Sequence, residues 1–144
     1  MPFEYEFLDH LSEEQLSQLM ALYRNEWWTK DRKLEDVRRM LANTDFIFAF
    51  CEKDSKRLVA FTRVLSDRVY KALLFDVIVA PDCREHKLGR ALMEAILNHP
   101  ELKHVRHVEL YCLPELGPFY EKWGFSKEVG GIHFMRKANV SSLS

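Results

Sequence analysis

Leu73-Leu74-Phe75-Asp76-Val77-Ile78-Val79-Ala80-Pro81-Asp82-Cys83-Arg84-Glu85-His86-Lys87-Leu88-Gly89-Arg90-Ala91-Leu92-Met93-Glu94-Ala95-Ile96-Leu97 changes character twice. An apolar run from Ala72 to Ala80, interrupted only by Asp76, reads as a buried strand, and Pro81-Asp82 ends it. A polar turn from Asp82 to Arg90 follows. A helix over Gly89–Leu97 comes next, with Leu88, Leu92, Ala95 and Ile96 on one face. Backbone N–H groups at a helix start are unpaired and carry partial positive charge, so they can hold phosphate. Arg84, Lys87 and Arg90 add formal charge where the macrodipole disfavours it. Either these cations form a solvated basic turn, or a bound polyphosphate accounts for them.

On the N-terminal side of this stretch the pattern is mostly strand. Phe46–Cys51 is a continuous apolar run and Leu58–Leu65 another, with the turn-like Lys53-Asp54-Ser55-Lys56 between them, so the two predict a hairpin. Ser66–Arg68 turns the chain into the Ala72–Ala80 strand. Earlier, Phe3–Leu8 alternates aromatic and acidic residues with a period of two. Ser12-Glu13-Glu14-Gln15 is a capping box, followed by Leu16, Leu19, Met20 and Tyr23 at helical spacing. A second helix is expected over Lys33–Ala42. On the C-terminal side, Val108–Leu113 alternates as a strand. Pro118–Trp123 reads as a short helix closed by Gly124. Phe125–Arg136 reads as a last strand or hairpin turning at Gly130-Gly131. The expected order is β-α-α-β-β-β-α-β-α-β-β. Hairpins and one strand–helix–strand step together predict a mixed sheet. Residues 1–138 are expected to form one domain, with 139–144 as a frayed polar tail.

Composition narrows the function classes. The chain has 144 residues, one domain's worth, with 47% hydrophobic and 30% charged residues, an ordinary globular balance. Its 21 basic and 22 acidic residues leave a formal charge of −1, so no global field draws it to nucleic acid or an anionic membrane. No apolar window is long enough to span a bilayer. The acidic start, Met1-Pro2-Phe3-Glu4-Tyr5-Glu6, does not read as a signal peptide. Cys51, Cys83 and Cys112 are odd in number and far apart, which suits reduced thiols and a cytoplasmic location. His104 and His107 read as surface residues rather than metal ligands, and no metal is expected. The G-x-S-x-G, G-x-G-x-x-G and P-loop motifs are absent.

The strand, the Arg84-Glu85-His86-Lys87-Leu88-Gly89-Arg90-Ala91 turn, the helix, the next strand and Phe119-Tyr120-Glu121-Lys122-Trp123-Gly124-Phe125 together resemble the GCN5-related N-acetyltransferases, or GNAT family. The resemblance covers nearly the whole chain. It implies a single-domain α/β (α+β) GNAT-like fold: a central mixed, mostly antiparallel sheet with splayed parallel strands and about four helices. It also implies acetyl-CoA as co-substrate. In the family a Q/R-x-x-G-x-G/A turn takes the pyrophosphate, which corresponds here to Arg84, Glu85, His86, Lys87, Leu88 and Gly89, with Arg90 adjoining. Lys87 stands where the family has its first glycine, and its side chain must point away or meet a phosphate itself. By the same resemblance, Val77 and Val79 pair with pantetheine through their backbones, and the Val77 N–H polarises the thioester carbonyl. Tyr120 corresponds to the tyrosine that protonates the departing thiolate; read by itself, it is a core aromatic beside Phe119 and Trp123.

A base is less evident. Some family members carry a glutamate where this chain has Leu73. Asp76, an acid in a buried strand, is either a hydrogen-bonded structural group or a catalytic one. Glu109 and Tyr111 share a face of the following strand and can act through water. Trp27, Trp28 and Arg32 lie between the first two helices, where the family frames its acceptor pocket. The two tryptophans can wall a pocket or join the core. Arg63 and Asp67 lie near the end of the strand before the turn at Ser66–Arg68, and Arg32 or Arg63 can grip an acceptor carboxylate by two prongs. The expected activity is acetyl transfer to a small-molecule amine or amino-acid-like acceptor by direct attack, by a monomer or homodimer. The alternatives are a CoA-binding module without turnover, and an acyltransferase for a longer acyl group or a protein lysine.

Overall fold

The computed structural model describes residues 4–139. The chain divides into two compact units, one running to Leu110 and the other starting at Tyr111. The first unit holds a five-stranded sheet in the order β1-β2-β3-β4-β5, with β1 at Tyr5–Leu8, β2 at Phe46–Glu52, β3 at Leu58–Ser66, β4 at Lys71–Val79 and β5 at His107–Glu109. The first three pairings are antiparallel and β4–β5 is parallel, so the sheet is mixed as the hairpin and crossover patterns predicted.

Helix α1, Glu13–Arg24, starts at the capping box. Ser12 Oγ accepts from the Gln15 N–H at 3.1 Å, and the Ser12 N–H donates back to Gln15 Oε1 at 3.0 Å. The same helix is tied to the β2–β3 hairpin. Gln15 Nε2 donates to Lys56 O, and the Leu58 N–H donates to Gln18 Oε1. Leu16, Leu19, Met20 and Tyr23 are the buried stripe the spacing predicted. They pack with Val37 of α2 (Leu34–Ala42) against Ala49, Leu58, Phe61 and Ile78 of the sheet. Helix α3, Leu88–Leu97, is the crossover between the parallel strands and packs on β2, β3 and β4, burying Leu88, Leu92, Met93 and Ile96. Burying an aliphatic side chain of this size stabilises by roughly 1.5–3 kcal/mol, so both amphipathic stripes are strongly held to the sheet.

Beyond Leu110 the sequence patterns translate less well. The strand expected over Val108–Leu113 pairs only at His107–Glu109. The second unit contains a 3-10 turn at Pro114–Leu116 and helix α4 at Gly117–Glu121, two residues shorter at its end than Pro118–Trp123 suggested. Trp123 and Gly124 instead close a turn, donating to Tyr120 O and Glu121 O, with Gly124 at φ +91. The expected strand or hairpin over Phe125–Arg136 does not form among the described residues. Only its turn is present, with Gly130 and Gly131 at φ +76 and +78. Alternation makes a segment fit for a sheet, but the strand exists only when a neighbour completes its ladder. Most of the tail expected at 139–144 lies outside the described residues.

Candidate active site

Strand β4 and the turn after it carry the chemistry. The pairing of β4 with β5 covers only Lys71, Ala72 and Leu73. On its other edge β4 stays paired to β3 as far as Val79. Past Leu73, therefore, one edge of β4 has no strand beside it among the described residues. The Ala80 N–H donates to Val59 O at 2.8 Å and so faces β3. Alternation along an extended strand turns the N–H and C=O of Val79, and of Val77 before it, toward the open edge. Open backbone groups of this kind pair readily with an extended amide-bearing chain.

A bulge sits within this stretch. Phe61 faces Ile78 and Arg63 faces Phe75, so the single residue Thr62 stands opposite both Asp76 and Val77. Asp76 has φ +56, a left-handed conformation that costs a residue with a Cβ roughly 1–2 kcal/mol. Its carboxylate is 4% exposed and fully engaged. Oδ2 accepts from Arg32 Nη1 at 2.7 Å, Arg63 Nε at 2.8 Å and the Tyr23 hydroxyl at 2.9 Å, while Oδ1 accepts from Arg32 Nη2 at 3.2 Å. Burial pushes this carboxyl up, but hydrogen bonding and charge from Arg32 and then Arg63 outweigh it and hold it below the usual carboxylate range. Burial, and then the Asp76 charge, keep the Tyr23 phenol protonated. Four contacts thus over-determine a strained residue next to Val77. A carboxylate so held takes up a proton poorly at neutral pH, which fits a structural acid better than a base.

The strand runs into a 3-10 turn at Pro81–His86, then Lys87, then α3. Lys87 has φ +58 and ψ +34. This is the left-handed region that glycine enters freely, which explains in physical terms why a glycine suits the position. By helix geometry the N–H groups of Leu88, Gly89 and Arg90 find no acceptor within α3, and no side chain caps them. Arg84 reaches Glu26 only at 3.5 Å, Arg90 pairs with Glu94 at 2.9 Å, and the Lys87 ammonium has no partner among the described residues. Glu85 is exposed, and the His86 ring meets the Tyr5 ring edge-on at 6.0 Å.

The residues expected to frame an acceptor separate into groups. Arg32 and Arg63 converge on Asp76. Trp28 packs against the α1–α2 core, whereas Trp27 is 63% exposed. Asp67 is exposed at the β3–β4 hairpin, at the far end of β4 from Lys87. Its Oδ1 accepts from the N–H groups of Val69, Tyr70 and Lys71, which makes it a turn-forming residue there. Glu109 ends the paired part of β5 and accepts from Lys71 Nζ at 2.8 Å. Tyr23 was read from its helical spacing as core alone; nothing local in the sequence marks its hydroxyl as a partner of Asp76.

In the second unit Tyr120 is buried. Its ring meets those of Phe119 at 5.0 Å and Phe125 at 6.0 Å edge-on, so Phe125 rather than Trp123 is its second aromatic neighbour. No hydrogen bond holds its hydroxyl among the described residues. Burial, and after it the Cys112 thiol, push its pKa up to about 12, so the phenol stays protonated and able to donate. Tyr111 is exposed and stacks obliquely on Phe134 at 4.9 Å. Cys51 and Cys83 are buried, and Cys112 is exposed.

Comparison with known proteins places this architecture. The family model described as an acetyltransferase (GNAT) domain matches residues 7–135. The uncharacterized N-acetyltransferase ycf52 of Porphyra purpurea is 29% identical over 131 residues, covering 90% of this chain and 75% of that protein. Serotonin N-acetyltransferase 2, chloroplastic, of rice (Oryza sativa subsp. japonica) is 34% identical over 106 residues, covering 72% of this chain but only 53% of that protein. Among solved structures, a protein of Xanthomonas campestris pv. campestris described as belonging to the GNAT family superposes with a TM-score of 0.79 at 27% identity, over 96% of this chain and 94% of that one. The free edge of β4, the uncapped start of α3 and these likenesses agree: the chain belongs to the GNAT acetyltransferase family.

Proposed function

We propose that this protein transfers the acetyl group of acetyl-CoA to a primary amine in a ternary complex. The observation that carries the reading is the continuity of two features. The open backbone edge at Val77 and Val79 leads directly into the uncapped N–H groups of Leu88, Gly89 and Arg90. An extended pantetheine has amides for the first, and a pyrophosphate has charge for the second. Arg84, His86, Lys87 and Arg90 add side-chain donors or charge around the phosphates, and Glu85 contributes backbone only.

The amine nitrogen attacks the thioester carbon, and the carbonyl oxygen becomes an oxyanion. The Val77 N–H, aimed outward by the Asp76 bulge, stabilises that charge. The attacking nitrogen gives up its extra proton to water, the C–S bond breaks, and the thiolate takes the phenolic proton of Tyr120, the role its place in the F-Y-E-K-x-G-F signature implies; solvent then reprotonates the phenolate. Asp76 acts by fixing the bulge rather than by accepting a proton. The reactive amine is the neutral form, so kcat/KM rises with pH toward the acceptor's own pKa. The rice relative, named for serotonin, illustrates amine acetylation within the family.

The test is release of free thiol from acetyl-CoA across a panel of primary amines. Amine-dependent release is the expected result. Tight acetyl-CoA binding with no release for any amine would leave a CoA-binding module. Release only from a longer acyl-CoA or only with a protein lysine would relocate the specificity.

A further inference from the structure

The cluster around Asp76 carries more positive charge than it needs. Arg32 and Arg63 bring two cations to one carboxylate, and Tyr23 stays neutral. Among the described residues no other acid lies within ion-pair reach of either guanidinium. Arg32 spends its fork on Asp76, with Nη1 on one oxygen and Nη2 on the other. Arg63 does not. It gives Asp76 only its Nε, and its Nη1 and Nη2 donate to no protein group among the described residues. The Arg63 side chain is nevertheless only 13% exposed. Its guanidinium is fixed on one side by Asp76 and on the other by the face of Phe75, 4.8 Å from the ring centroid.

A nearly buried cation with only one of its five N–H donors engaged among the described residues is costly unless an anion completes it. The unused part is the two-nitrogen end of a planar fork, which matches the two oxygens of a carboxylate. Its place in the fold is next to the chemistry, because the residue it holds, Asp76, directly precedes Val77. We propose that Arg63, through Nη1 and Nη2, binds a carboxylate on the acceptor, so that the preferred substrates are small amines carrying a carboxylate a few bonds from the amine. Asp76 serves both groups: it neutralises Arg32 and holds Arg63 by Nε, which leaves Nη1 and Nη2 for the acceptor. This rests on the transferase reading given above, but the anion site stands on the charge and geometry of the cluster alone.

The experiment compares α-amino acids with their primary amides, which keep the size but lose the charge, at saturating acetyl-CoA and with rates expressed per neutral amine, because loss of the carboxylate also lowers the amine's pKa. The acids should be preferred at least tenfold in kcat/KM. Arg63→Lys, which keeps the charge and a donor toward Asp76 but loses the fork, should reduce that preference by about tenfold, the worth of a charge-assisted hydrogen bond. Equal use of the two series, preference for the amides, or an unchanged ratio in Arg63→Lys overturns the proposal. A second measurement does not depend on turnover or on the variant folding. Calorimetric titration of the wild-type protein with CoA present should show 3-phenylpropanoate binding and 3-phenylpropanamide binding at least tenfold more weakly. If neither binds, or both bind equally, there is no carboxylate site. If the acid binds selectively while no amine of any kind is acetylated, the anion site is upheld and the transferase reading fails.

Discussion

Exchanging Lys87 for glycine should stabilise the protein, an unusual outcome for a glycine placed at a helix start. Lys87 lies at φ +58, ψ +34, between the Pro81–His86 turn and α3. Its Cβ meets the carbonyl crowding that makes the left-handed region costly by roughly 1–2 kcal/mol. Glycine removes that cost but gives part of it back through the greater freedom of the unfolded chain, about 0.5–1 kcal/mol. The net gain therefore lies between zero and about 1.5 kcal/mol, centred on ~0.75, and for a chain this long 1 kcal/mol corresponds to a rise of roughly 2–4 °C in Tm. Lys87→Ala keeps the Cβ and should gain nothing. Denaturant unfolding of the three proteins measures the difference, since equal slopes report stability alone. For acetyl-CoA, both variants lose the ammonium. If that group meets a phosphate, Lys87→Ala should weaken binding by roughly 1–3 kcal/mol. Lys87→Gly should lose less, because its backbone fits the phosphate more closely. A glycine variant no more stable than the alanine variant would refute the strain argument, and one binding acetyl-CoA no better would refute the phosphate role.

Further expectations follow from the other two side chains. Tyr120→Phe keeps the ring between Phe119 and Phe125 and loses a hydroxyl with no hydrogen bond to a described residue, so Tm should barely change. Turnover should fall about tenfold or more, in kcat rather than KM, as general-acid loss requires; normal turnover would make it a packing residue. Asp76→Asn leaves two guanidiniums facing a neutral amide and should destabilise by roughly 3–5 kcal/mol, the range for breaking a buried pair, as read by denaturant unfolding. The Asp76 carboxyl is held below its unfolded value, so its contribution is complete above the ordinary carboxylate range and is lost as pH falls through the lowered folded value. Acid unfolding should therefore begin at higher pH in Asp76→Asn than in the wild type. The Tyr120 phenol is raised to about 12, so its contribution is present below about pH 10 and lost between 10 and 12. Alkaline unfolding monitored by phenolate absorbance should show that late ionisation.

Much of the first unit was legible because its signals are local. The capping box at Ser12, the α1 stripe and the strand–turn–helix at Leu73–Leu97 need only neighbours along the chain. Asp76 was legible as an anomaly but not as a hub. Its partners lie 53, 44 and 13 residues away, at Tyr23, Arg32 and Arg63, and only the assembled sheet brings them together. The same holds for the bulge, which is a relation between two strands and leaves no mark in either. Asp67 was misleading because an aspartate that caps a hairpin resembles, in sequence, one that faces a ligand. Past Leu110 the alternating pattern of Val108–Leu113 and the hairpin expected over Phe125–Arg136 find no partner strand among the described residues, and local pattern alone does not supply one.

The central claim is that acetyl-CoA lies along β4 and across the start of α3. Backbone amide resonances followed during titration of the full chain with acetyl-CoA test this most directly. The largest shifts should fall on Val77, Val79, Leu88, Gly89 and Arg90, while Asp67, Val69 and Tyr70 at the opposite end of β4 stay in place. Saturable shifts confined to other residues, or none at millimolar acetyl-CoA, would contradict it.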